Sequence, residues 1–185
     1  MSGNGCSFKY VIIGDTAVGK SSLLSIFTDK IRSDKYEPTI GVDFEKKQLD
    51  LDGKSVEINI WDTSGHPRYR QIAASYYKGV LGVIIVYDIT NLESFQNLNS
   101  WLNEIKNESS NACKILVGNK NDLEKDRKVT FEQGKEFANQ NGMKFFETSV
   151  KENNNVKEIF LTIAKEIIQL NTNTKTNEKK EKNED

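Results

Sequence analysis

The sequence predicts an α/β domain: a mostly parallel six-stranded sheet with one antiparallel edge strand and helices on both faces. Three observations predict it. Short apolar runs alternate with segments whose apolar residues recur at helical spacing. Two alternating segments, 43–51 and 54–61, flank Asp52-Gly53, which signals a hairpin. Val80 to Tyr87 is a nearly continuous apolar run, as a parallel strand covered on both faces requires.

The elements follow in order. Tyr10-Val11-Ile12-Ile13 reads as a buried strand, and Lys20 to Phe27 as a helix with Leu23, Leu24 and Phe27 inward. The hairpin comes next, then the strand at 80–87. Phe95, Leu98, Trp101, Leu102 and Ile105 fall on one helical stripe, read as core packing. Lys114 to Val117 is a further strand. Thr130-Phe131-Glu132-Gln133 has the form of a capping box that opens the helix carrying Phe137. Residues 143–147 form the last strand, and Val156, Ile159, Phe160, Ile163, Ile167 and Ile168 line a final amphipathic helix. In such sheets ligands bind beyond the C-terminal ends of the strands, where every motif below falls.

The 185 residues suit one domain. Residues 1–7 read as a flexible lead-in, 8–170 as the folded domain, and 171–185, without one apolar side chain, as a disordered polar tail. The net charge of −1 excludes a general nucleic-acid binder. With 2 cysteines and 1 histidine, the chain has no disulfide framework and no multi-histidine metal site. Oxygen ligation remains, which suits magnesium or calcium.

Gly14-Asp15-Thr16-Ala17-Val18-Gly19-Lys20-Ser21 fits the pattern G-x-x-x-x-G-K-[ST] between a predicted strand and a predicted helix. In that context the glycines let the backbone wrap a phosphate, so that successive N–H groups and the helix dipole face its charge. Lys20 then reaches the β- and γ-phosphates, and the Ser21 hydroxyl meets magnesium. By itself the loop says nucleotide phosphate and names no base.

Asn119-Lys120-Asn121-Asp122 follows the strand at 114–117. By itself it reads as a polar turn. Beside a phosphate loop it reads as a guanine reader, because a carboxylate accepts from two parallel donors. Guanine offers such a pair at N1 and the 2-amino group, and adenine does not. Lys120 can lay its stem on the base face, Asn119 can tie this loop to the phosphate loop, and Ser149-Val150-Lys151 can offer backbone N–H groups to the guanine carbonyl.

With these motifs stand Pro38-Thr39-Ile40-Gly41-Val42-Asp43-Phe44, Trp61-Asp62-Thr63-Ser64-Gly65, Tyr76-Tyr77-Lys78-Gly79 and Val86-Tyr87-Asp88-Ile89-Thr90. Over about residues 8–170 the set resembles the Rab family of small Ras-like GTPases. The resemblance implies the Ras-like phosphate-loop fold, binding of GTP and GDP with magnesium, and hydrolysis of GTP in a switch of vesicle traffic. It implies nucleotide contacts from Asp15 through Ser22, and from Arg32, Tyr36, Thr39 and Gly65. Magnesium ligation falls to Ser21, Thr39 and Asp62, and catalysis to Lys20, Thr39 and the residue at 66. Exchange factors, GTPase-activating proteins and effectors are the implied partners of a monomeric protein, with effectors meeting Phe44, Trp61 and Tyr76. Those three aromatics read equally well as hairpin and core packing.

Three residues depart from the family pattern. His66 stands where the family usually has the glutamine that orients the attacking water. Slow intrinsic hydrolysis is expected, although His66 reads equally as a solvent-facing residue without a role. Pro67 replaces the usual glutamate and should stiffen the second switch. Arg32 replaces an aromatic on the guanine face, so faster nucleotide release is expected. Ala17, where glycine is common, is a mild variation.

Family members carry lipid on C-terminal cysteines, and no cysteine follows Cys113 here. Truncation is the favoured expectation, with a cytoplasmic protein that reaches the cytosolic face of endomembranes when lipidated. The alternative to a cycling switch is a GTP-bound scaffold that hydrolyses negligibly. An ATP-using kinase is disfavoured by Asp122.

Overall fold

A computed structural model describes residues 6–30, 38–106, 108–109 and 111–181. Arg32 and Tyr36 lie outside the described residues. The strands are β1 (Cys6–Ile13), β2 (Val42–Leu51), β3 (Lys54–Thr63), β4 (Gly82–Asp88), β5 (Cys113–Asn119) and β6 (Lys144–Thr148). The helices are α1 (Lys20–Phe27), α2 (Arg70–Ala74), α3 (Leu92–Gln96), α4 (Leu98–Ile105), α5 (Phe131–Gln140) and α6 (Val156–Glu181). Short 3-10 segments occupy Pro67–Tyr69 and Asn121–Asp126.

The six strands form one sheet in the order β2-β3-β1-β4-β5-β6. Only the β2–β3 hairpin is antiparallel. The chain leaves β1 toward β2 and β3 on one side, then crosses to β4, β5 and β6 on the other. The C-terminal end of β1 is therefore the point where strand order reverses and a crevice opens. The phosphate loop sits there.

The continuous apolar runs have a simple cause. Alternate residues of each central strand serve two different cores. Tyr10, Ile12, Ile84, Val86, Ile115 and Val117 pack beneath α1 and α6. Val11, Ile13, Val83, Ile85, Tyr87 and Leu116 face the other side with Trp101, Ile105 and Ala138. Phe27 of α1 stacks on Phe160 of α6 at 4.0 Å between centroids, locking the helix that follows the phosphate loop. The edge strand β2 carries Glu45, Lys46 and Lys47, charges that discourage further strand pairing.

Boundaries differ from the sequence reading at three places. Cys6 and Ser7, read as the end of a loose lead-in, pair with Val56 and Glu57 of β3. The stripe from Phe95 to Ile105 is two helices, because the turn is interrupted at Asn97. The last helix continues to Glu181, through a stretch whose composition predicts a disordered tail from Asn171. The capping box is present: Gln133 N donates to Thr130 Oγ1 at 3.1 Å, and Thr130 N donates to Gln133 Oε1 at 2.8 Å.

Candidate functional site

The phosphate loop turns through positive φ at Gly14 (139°), Ala17 (65°) and Gly19 (101°). Gly19 could be nothing else, since a Cβ there would lie 2.2 Å from Asn119 Nδ2. No side chain caps the N-terminus of α1, which opens directly out of the loop with its positive dipole end toward the crevice. Lys20 is buried and folds back across the loop, donating to the carbonyls of Gly14 (2.8 Å) and Asp15 (2.7 Å). Burial lowers its pKa to about 8, against the opposing pull of Asp62 and Asp15. A buried cation beside uncapped amides attracts a polyanion.

Ser21, Thr39 and Asp62 converge beside it. The Ser21 and Thr39 hydroxyls are 2.7 Å apart, Ser21 donates to Asp62 Oδ2, and Thr39 Oγ1 lies 3.4 Å from that same oxygen. Asp62 Oδ1 is buried and has no hydrogen-bond partner. Burial raises the Asp62 pKa to about 6, with the Ser21 hydrogen bond and Lys20 opposing. An orphaned buried carboxylate oxygen next to two hydroxyls is a hard-oxygen donor set that fits magnesium.

The base-reading segments meet at the other end of the crevice. Asn119 is buried, donates to Val18 O at 2.8 Å and accepts from Thr148 Oγ1 at 3.0 Å, so it joins the phosphate loop, β5 and β6. Lys120 adopts the left-handed conformation (φ 68°) and pairs with Asp88 at 2.6 Å. Asp122 Oδ1 accepts from Ser149 Oγ at 2.8 Å. A cavity of about 180 Å³ is lined by Gly19, Asn119, Lys120, Asp122, Val150 and Lys151, among others. Arg127 grips both oxygens of Glu147 at 2.7 and 2.8 Å, fastening the end of this loop to β6.

At the opposite end Gly65 presses on the phosphate loop. A Cβ there would lie 2.2 Å from the Asp15 carbonyl carbon. His66 follows in an extended conformation (ψ 133°), as a residue before proline should. Its ring is exposed, and Nδ1 accepts from the Arg68 N–H at 3.1 Å, capping the turn that begins at Pro67. Phe44 and Trp61 pair across the hairpin at 4.7 Å, while Tyr76 is half-buried after α2.

One arrangement escaped the sequence reading. The Asp15 carboxylate accepts from Asn97 Nδ2 and Trp101 Nε1, both at 2.7 Å. A tryptophan in a buried stripe reads as packing, but a buried indole N–H needs a partner. An acid in a loop named for phosphate binding was the available signal.

Comparison with known proteins agrees with this geometry. The Ras family model matches residues 9–169. The Ras-related protein RABD1 of Arabidopsis thaliana is 48% identical over 161 residues, covering 86% of this chain and 78% of that protein. The Ras-related protein RIC1 of Oryza sativa subsp. japonica is 49% identical over 161 residues, covering 86% and 80%. The GTP-binding protein YPT1 of Saccharomyces cerevisiae is 47% identical over 179 residues, covering 96% and 87%.

Proposed function

The chain belongs to the Ras family, within its Rab group of small GTPases, and from that premise we propose a GTP/GDP switch whose intrinsic hydrolysis is slow because of His66. The protein is a small GTPase of vesicle traffic. Lys20 and the loop amides hold the β- and γ-phosphates, and Asp122 and Lys120 hold guanine. Ser21, Thr39 and Asp62 hold magnesium, which neutralises phosphate charge when bound. The Gly65 N–H lies on the γ-phosphate side. Thr39 is held while γ-phosphate is present and released afterwards, which gives two states for partners to read. Exchange factors, activating proteins and effectors are those partners, the effectors through Phe44, Trp61 and Tyr76. No helix among the described residues is long and apolar enough to cross a membrane.

The observation that carries the slow step is the hydrogen bond from Arg68 N to His66 Nδ1. With Nδ1 accepting, the neutral ring keeps its proton on Nε2. His66 can therefore donate to a water or a phosphate oxygen, but no lone pair remains to accept from that water. A glutamine carboxamide offers both a donor and an acceptor.

Single-turnover hydrolysis of bound GTP tests this. His66→Gln should raise the rate about ten-fold, a modest share of what a placed proton donor or acceptor supplies. An unchanged rate overturns the reading. The nucleotide retained on purification separates the two modes of action: GDP for a cycling switch, GTP for a scaffold held in the effector-binding state.

A further inference from the structure

Asp15 is engaged on every side. Its carbonyl accepts from Lys20 Nζ, and its backbone packs on Gly65. Its two carboxylate oxygens take one donor each, from Asn97 and Trp101. Those two residues lie one turn apart, and Trp101 N donates to Asn97 O at 3.2 Å, so their side chains leave the same helical face. Asn97 sits at the junction of α3 and α4, and its side chain reaches the loop from there.

Trp101 has a second engagement. The Arg70 guanidinium stacks over its ring at 4.3 Å, and Arg70 is fixed there by Glu104 (2.6 Å) and Ser100 (3.0 Å). Arg70 is the first residue of α2, four after His66. The segment from Gly65 to Arg70 is thus anchored at both ends to one structure: Gly65 on the Asp15 backbone, Arg70 on the ring that holds the Asp15 carboxylate. Burial alone explains why the indole N–H has a partner; it does not explain why that partner is in the phosphate loop and why the ring also carries Arg70.

We propose that Trp101, assisted by Asn97, is a positioning residue of this GTPase that sets the phosphate loop through Asp15 and registers the second switch on that loop through Arg70. The proposal rests on the nucleotide-binding reading above. Losing the Asp15 anchor lets the carbonyl that holds Lys20 drift, so bound nucleotide is released faster. Losing the Arg70 stack unfastens the far end of the segment that carries His66, so hydrolysis slows.

The test uses the full chain loaded with a fluorescent GDP and chased with unlabelled GDP. Trp101→Phe should speed release about ten-fold, as expected for loss of one charge-assisted hydrogen bond, and Asp15→Ala, which loses the Asn97 bond as well, at least as much. The double variant should release no faster than about twice Asp15→Ala alone, because loss of the carboxylate already removes the indole contact. Asp15→Asn, which keeps an oxygen for the indole, should recover most of the loss. In the amide–indole NMR spectrum the Trp101 N–H resonance should move on Asp15→Ala and return on Asp15→Asn. Arg70→Ala should slow single-turnover GTP hydrolysis about three-fold.

Multiplying effects in the double variant, or release unchanged in either single variant, overturns the Asp15 leg. An unchanged hydrolysis rate in Arg70→Ala overturns the second-switch leg. A wild-type protein that holds no GDP defeats the nucleotide-binding reading instead, and the NMR arm still decides whether the indole–carboxylate contact exists. Should Trp101→Phe fail to fold, Asp15→Ala and its asparagine counterpart carry the test, because Asp15 lies in a half-exposed loop.

Discussion

At the base end of the crevice Asn119, Lys120 and Asp122 are each pinned to a different element: β6 and the phosphate loop, Asp88, and Ser149. Arg127 clamps the end of that loop to Glu147. At the γ-phosphate end Ile40 is 80% exposed, Ile72 50%, and His66 has its ring in solvent. The difference separates reading from sensing. A guanine reader must be the same in both nucleotide states, so its polar groups are committed in advance. A γ-phosphate sensor must have two arrangements, so apolar groups at that end stay exposed and available to partners.

Base selectivity should reside in Asp122, and its loss should be severe. Asp122→Ala should weaken GDP binding about a hundred-fold or more, through loss of two charge-assisted hydrogen bonds. It should also abolish the preference for GDP over IDP, whose base lacks the 2-amino group. Titration with both nucleotides checks this, and GDP affinity within three-fold of wild type would move base reading elsewhere.

The ends differ in charge balance as well. Lys120 and Arg127 have carboxylate partners within 2.7 Å. Asp62 instead keeps an oxygen without a hydrogen-bond partner, and its pKa is raised to about 6. A carboxyl whose folded pKa lies above its unfolded value of 3.8 adds stability at low pH. That contribution is lost as pH rises through 6. Nucleotide-free, EDTA-treated Asp62→Asn should therefore be more stable than wild type at pH 8 by on the order of 2 kcal/mol. The advantage should fade as pH falls from 6 to 4, and the same variant should bind GDP–magnesium more weakly. Denaturant melts at pH 4, 6 and 8 check the sign. A wild type that is the more stable one at pH 8 would mean that Asp62 is already compensated within the chain.

What the sequence made legible divides along similar lines. Strand and helix positions followed from apolar periodicity, because each central strand feeds two cores and each helix only one. The phosphate loop and the guanine reader are contiguous motifs, legible because their geometry is set by local backbone turns. The ties between elements were not legible. Asn97 interrupts a helix that its apolar neighbours predict as continuous, and Trp101 shares its stripe with Leu98 and Ile105, both fully buried. Nothing in that spacing says that an indole N–H meets a carboxylate far away in the chain. Asp15 belongs to the phosphate-loop motif, and the motif does not say that its carboxylate meets Asn97 and Trp101. The hydrogen bond to His66 Nδ1 is likewise not legible, because it depends on the turn that Pro67 starts.

Pro67 should have only a small effect, and it bears on why the γ-phosphate end is slow. The Pro67 ring fixes its own φ and keeps His66 extended, so that Arg68 N can reach Nδ1. Pro67→Glu should let His66 enter the helical region and weaken that cap. The Arg68 amide should then exchange faster with solvent, stability should fall by about 0.5–1 kcal/mol, and single-turnover hydrolysis should rise no more than about two-fold. The reason is that freeing Nδ1 restores an acceptor without giving the ring the reach of a carboxamide. If Pro67→Glu instead raises hydrolysis as much as His66→Gln does, the imidazole is an adequate positioner and the proline alone restrains it. The γ-phosphate end would then be slow because it is stiff, and its contrast with the base end would narrow to selectivity alone.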